Sequence, residues 1–337
     1  MMFLFWLTSA QLASAPQPAL RGTVIGAESG APLGFSIVTL TPTSSKRFTD
    51  AAGAFAFPDV VAGTYMLSVR QIGYAPLDTQ IVVRAASATT LVVRLRHLAI
   101  ELPPVTITGR PRCTNPGPPD ATAAPALAAI FDQLQEHARR FGLLADSFPF
   151  EYQLEQILRE VNGRGDTLRP AVRILRLGSR DDRPYEVGRV VTPGWGAWGD
   201  VWVVRTPSLE EFGNTTFVRR HCFHLAGRDT IEGETLVRID FEPATNLGWA
   251  DMAGSAYLDS STYQLRFTES SLTHPEWSQL ADIATMVTRT RFRTIGAGIP
   301  LQDHLRAVTT FRSGGRRRIE TQRTVEVHFK RGLPPSL

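Results

Sequence analysis

Past residue 20 the sequence is cut into short runs by Gly, Pro, Asp or Ser, and within the runs apolar and polar residues alternate. GTVIG, FSIVTLTP, AGTYMLSVRQIGY, TQIVVR and LVVRL follow one another between such breaks. Period-two alternation sends neighbouring side chains to opposite faces of a strand, and breaks every eight to twelve residues leave room for hairpins but not crossover helices. This rhythm constrains the fold more than any other feature. It predicts a mainly β protein whose residues 21–109 form a seven-stranded antiparallel β-sandwich.

The chain has 337 residues, more than a single core usually organises. A break is visible at residues 110–125, RPRCTNPGPPDATAAP, where Pro, Ala and Gly predict an extended linker. Leu127, Ile130, Phe131, Leu134, Ala138 and Phe141 then recur at three- and four-residue spacing. That spacing predicts one amphipathic helix over residues 126–144. Its polar face carries Asp132, Glu136, Arg139 and Arg140 in balance, which argues against a membrane-surface helix. After Phe148 the alternation returns, clearest in the hairpin Ala256 to Leu265 around Asp259-Ser260-Ser261. Residues 126–332 are therefore expected to form a curved antiparallel sheet covered by the helix. The helix is expected to fill the concave face, whereas an open groove would suit a lipid.

Several short motifs in the first domain occur in a recognisable order. They are Gly22-Thr23-Val24, Gly30-Ala31-Pro32-Leu33, Val38-Thr39-Leu40, Thr49-Asp50 with Gly53-Ala54-Phe55, Gly63-Thr64-Tyr65 and Gly73-Tyr74. The succession resembles the carboxypeptidase regulatory-like domain, a small transthyretin-like sandwich. The segment Glu101 to Gly109 is similar to the join between such a sandwich and the plug of TonB-dependent outer-membrane receptors. In those receptors a barrel of roughly twenty strands follows. Too few residues remain after Gly109 to build one, so receptor function does not carry over. Metallocarboxypeptidase chemistry does not carry over either, because none of the seven histidines has Glu three residues on. In the second domain, Phe241-Glu242-Pro243 and Gly254 to Asp259 are similar to the half-barrels of periplasmic lipoprotein carriers.

The compartment is read from the N-terminus. Met2 to Ala10 is apolar and too short to span a bilayer, and Ala13-Ser14-Ala15 is the small-x-small pattern that signal peptidase accepts. Residues 1–15 are expected to be a signal peptide, which makes the mature chain exported, periplasmic or outer-membrane associated, and not transmembrane. No Lys or Arg precedes the apolar run, so the true start is expected upstream. Lysine occurs only at Lys46 and Lys330, and the arginines are scattered. Basic composition here reflects codon usage, and no nucleic-acid partner is expected.

The stretch Arg219 to His224, RRHCFH, is the densest chemical cluster. Thr216 to Gly227 is expected to be one strand, with Cys222 and His224 on one face and His221 and Phe223 on the other. Two ligands are too few for zinc, so metal and a catalytic Cys-His pair rank below a third reading. That reading is a disulfide between Cys113 and Cys222, the two cysteines of a chain entering an oxidising compartment. Trp195, Trp198 and Trp202 form a candidate ligand platform for sugars, with an ordinary core strand as the competing reading. Arg316-Arg317-Arg318 is expected at a solvated hairpin tip, and Asp240 and Glu242 on a solvent face beside Arg238. No catalytic or cofactor-binding residue and no metal ligand set stands out, and no Gly-x-Ser-x-Gly elbow occurs. The expectation is a non-enzymatic envelope protein that binds or scaffolds. Its partner would be an envelope protein, a glycan or a lipid carried in the C-terminal groove.

Overall fold

A computed structural model describes residues 20–330, apart from 59, 85–87, 103–111, 168–169, 182–184, 195–200 and 279–281. The expected signal peptide lies outside these residues. The chain divides into two units, residues 1–97 and 98–337.

The first unit has seven strands: β1 (Leu20–Gly26), β2 (Ile37–Thr41), β3 (Ser45–Phe48), β4 (Ala54–Phe57), β5 (Gly63–Arg70), β6 (Leu77–Val83) and β7 (Thr89–Leu95). They form two sheets, β4-β1-β7 and β3-β2-β5-β6. The alternating side chains Leu20, Val24, Leu40, Phe57, Leu67 and Leu95 meet in one core. Asp50 and Gly53 make the turn between β3 and β4, where the Gly53 amide donates to the Asp50 carbonyl at 3.0 Å. Gly53 adopts φ 74°, a region where a side chain would be strained, and the Ala54 amide donates to Asp50 Oδ1 at 2.8 Å. One detail departs from a purely antiparallel sandwich, since β1 pairs with β7 in parallel over its whole length.

The second unit opens with helix α1 (Pro125–Ser147), which starts one residue before its predicted bound, Pro125 being tolerated in the first turn, and ends three residues after it. Strands β8 (Phe150–Val161) and β9 (Ala171–Gly178) follow, then the short pair β10 (Val191–Gly194) and β11 (Val201–Val204). Two helical turns, α2 (Leu209–Gly213) and α3 (Thr215–Val218), lead into seven further strands. These are β12 (His221–Ile231), β13 (Glu234–Pro243), β14 (Asp251–Asp259), β15 (Leu265–Thr273), β16 (Ile283–Ile295), β17 (Ile299–Phe311) and β18 (Arg317–Phe329). They join β8 and β9 in a nine-stranded sheet, ordered β12-β13-β14-β15-β16-β17-β18-β8-β9. Every pair in it is antiparallel, and β18 pairs with β8.

The stripe Leu127, Ile130, Phe131 and Leu134 on α1 shares one core with Val237, Ile239, Phe241 and Leu258 of the sheet. The helix therefore occupies the face on which an open groove would have formed. Arg140 departs from the expected polar face of α1, being buried at 5% exposure. Residues beyond the first unit also dock on this core, because Leu98, Ile100 and Leu102 pack against it. The segment expected as an extended spacer is tied down at Cys113 and Gly117, and the Gly117 amide donates to the His221 carbonyl at 2.9 Å.

Candidate functional site

The stretch RRHCFH begins as a helical turn rather than as strand. Asn214 caps α3 by accepting from the Thr216 and Phe217 amides, so residues 215–218 coil and the strand starts only at His221. From there the predicted alternation holds. His221 and Phe223 face the core, while Cys222 sits on the opposite face in a buried cluster with Cys113, Ala244 and Leu247. Cys113 and Cys222 form a disulfide with their Cα atoms 5.4 Å apart. The carbonyl of Cys113 accepts from both the amide and the hydroxyl of Thr245, at 3.0 and 3.2 Å. No thiolate remains for metal or catalysis, and the described residues hold no group of three metal-ligating side chains.

Inside the core, Tyr185, His221 and Asp251 group together. The Tyr185 hydroxyl donates to Asp251 Oδ2, the Met252 amide donates to Oδ1 at 2.8 Å, and His221 Nε2 lies 3.8 Å from the same carboxylate. His221 also places Nδ1 2.8 Å from the Phe217 carbonyl and stacks on the Phe217 ring. Burial holds the His221 imidazole below its ordinary pKa and pushes the Asp251 carboxyl and the Tyr185 phenol up. All three are nearly sealed from solvent. His221 and Asp251 tie β12 to β14, and Tyr185 anchors its loop to the same carboxylate.

The disulfide itself is buried, but Cys113 borders an open cleft. A cleft of about 200 Å³ opens there, rimmed by Arg112, Glu242, Thr245, Trp249, His274 and Trp277. Glu242 is in register with Cys222 across β12 and β13, which places its carboxylate on the disulfide face. Trp249 lies on the loop after β13, and Trp277 on the turn after β15. They are the two large exposed aromatics of the described residues, at 44% and 48%. Both indoles pack against a neighbour. The His274 ring stacks on Trp277 at 3.8 Å and 11°, held by Glu276 Oε1 at 3.1 Å from its Nδ1. Hydrogen bonds from its own backbone amide and from His274 keep the Glu276 carboxyl below the usual carboxylate range. Gly188, at φ 73°, lets the backbone pass under Trp249, where a Cβ would stand 3.1 Å from the indole. The cleft thus presents two preset aromatic faces beside a cation and a carboxylate.

The sequence singled out other tryptophans. Trp195 and Trp198 lie outside the described residues, and Trp202 falls on β11, opposite Pro193 of β10. Trp249 and Trp277 had only a weak signal, since each is a lone aromatic in a turn segment, GWAD and HPEW. The expected solvent position of Asp240 is corrected. It is 6% exposed, because Ser255 and the Arg238 guanidinium close over it at 2.6 and 2.7 Å. Arg316 does sit at a hairpin tip, over the Phe311 ring and 3.5 Å from Asp282, while Arg318 turns back to Glu160 at 2.6 Å.

No curated protein matches the chain. Among solved structures, similarity extends to a putative outer membrane lipoprotein-sorting protein domain from Vibrio parahaemolyticus. It is 12% identical with a TM-score of 0.33, covering 60% of this chain and 94% of that one. Similarity also extends to a DUF1329 family protein from Desulfovibrio piger, 13% identical with a TM-score of 0.31, with the same coverage. Within the first unit the match is to a family model, and residues 19–96 match the carboxypeptidase regulatory-like domain.

Proposed function

We propose that this chain is a non-enzymatic, exported binding protein of the cell envelope, and that the cleft beside the disulfide is its ligand site. The observation that carries the reading is the pair of exposed indoles, Trp249 and Trp277, each packed against a neighbour and both bordering one cleft with Arg112 and Glu242. Exposed aromatics held rigid lose little entropy on binding, and indole faces suit the apolar side of a sugar ring. The carboxylate and guanidinium at the rim can then accept from and donate to hydroxyls. A saccharide of the cell surface is the ligand class this chemistry favours. A lipid held in the sheet is the weaker reading, since α1 already fills that face. The regulatory-like domain at residues 19–96 is consistent with a scaffolding role for the first unit.

Two measurements test the proposal. Fractionation of cells producing the full chain should recover it in the periplasmic or outer-membrane fraction, and cytosolic recovery would remove the export half. A glycan array probed with the purified protein should give selective signals, and uniform background across all glycans would remove the saccharide half.

A further inference from the structure

The sheet's second face, turned away from α1, carries a cationic lattice that the cleft does not use. Arg306 of β17 is exposed between the buried core residues Leu305 and Ala307, so it points away from the helix. Cross-strand partners share a face. Arg289 of β16 stands directly opposite Arg306, and Arg291 stands opposite His304, which in turn faces Arg323 of β18. With strands about 4.8 Å apart and alternate residues about 6.8 Å apart along each, these groups form two adjoining rows. Like charges directly opposite one another destabilise a sheet.

The fold relieves only part of that repulsion. Glu232 and Glu269 lie 2.6 Å from Arg291 and 3.5 Å from Arg289, and both guanidiniums sit over the Phe267 ring. The guanidiniums of Arg306 and Arg323 make no ion pair or hydrogen bond among the described residues. Glu155 faces Arg323 in register without forming one. Beside the cationic rows runs an apolar one, Val287, Val308 and Ile319, in direct register across three strands. Val287 is 53% exposed, and at the sheet edge Val172 and Ile174 are 58% and 52% exposed.

We propose that this face docks on a bilayer bearing anionic phospholipid headgroups. Phosphates would neutralise Arg306 and Arg323, and the aliphatic row would enter the headgroup boundary. A soluble polyanion would use the charges and leave the aliphatic row in water, whereas a charged bilayer surface uses both. The inference is independent of what the cleft binds, and its test uses purified protein regardless of cellular location.

The test is co-sedimentation of the full chain with phosphatidylglycerol vesicles and with phosphatidylcholine vesicles. Binding is expected to the first, to weaken with added salt, and to fall at least roughly tenfold in Arg306→Glu/Arg323→Glu, since each basic residue near a charged surface contributes about fivefold. Reversal of Arg94, exposed on β7 of the first unit, should leave binding unchanged. If the double reversal impairs folding, Arg306→Gln/Arg323→Gln and Val287→Asp give the same reading. Equal sedimentation with both lipids, wild-type binding by the folded double variant, or competition for heparin without any vesicle binding would each overturn the proposal.

Discussion

His137 shows how one side chain can set acid sensitivity. It is buried on α1 at 2% exposure, and its Nδ1 accepts from the Leu265 amide at 3.3 Å. Burial, with the nearby Arg140 and Arg266 charges, lowers its pKa from 6.5 to about 3. The unfolded chain therefore binds this proton at higher pH than the folded one. Stability from this group is fully present above about pH 6.5 and is lost progressively as pH falls towards 3. His221, also lowered, acts in the same direction, while Asp251, raised, acts oppositely. Urea midpoints measured from pH 7 down to pH 4 should fall, with His137 contributing at most about 3 kcal/mol of lost unfolding free energy over that range. His137→Gln should flatten the decline, and an equally steep fall in the variant would show that other groups control it. None of this was legible in the sequence, where a histidine on a helix looks the same whether it faces water or core.

At the scale of elements, periodicity predicted most of what was found. The stripe on α1 located the helix because three- and four-residue spacing leaves a continuous apolar face, and Phe131, 1% exposed, lies at its centre. Phe131→Ala should cost about 3–5 kcal/mol in denaturant unfolding. A loss below about 1 kcal/mol would mean that α1 does not cover the sheet. Alternation failed where local hydrogen bonding overrode it. Thr216 to Val218 is β-branched and aromatic and reads as strand, yet the Asn214 cap and the Ser208–Glu211 capping box coil the chain first. Both caps are present in the sequence, but apolar alternation masked them. Asp240 was misplaced for a related reason. Alternation assigned its face correctly, but the second face of this sheet buries polar groups beneath arginines and Tyr257.

Across the whole molecule, the staple was legible and the cleft was not. Cys113 and Cys222 are the sole cysteines, so their number and the expected compartment were enough to pair them, although they are 109 residues apart. Cys222→Ser should lower the stability of the second unit by about 2–5 kcal/mol. The wild type should lose a similar amount when unfolded with reductant, and two free thiols in denatured, non-reduced protein would contradict the pairing. Trp249 and Trp277 could not be linked in advance, because they sit on separate turns that meet only once the order β12-β13-β14-β15 brings both beside the disulfide. The cleft is proposed to bind its ligand through these two indoles. The most direct test is titration of an array-selected saccharide into wild type, Trp249→Ala and Trp277→Ala, all checked for native unfolding. Each variant is expected to bind about tenfold more weakly, consistent with the loss of one stacked ring. Unchanged affinity in both would contradict the claim.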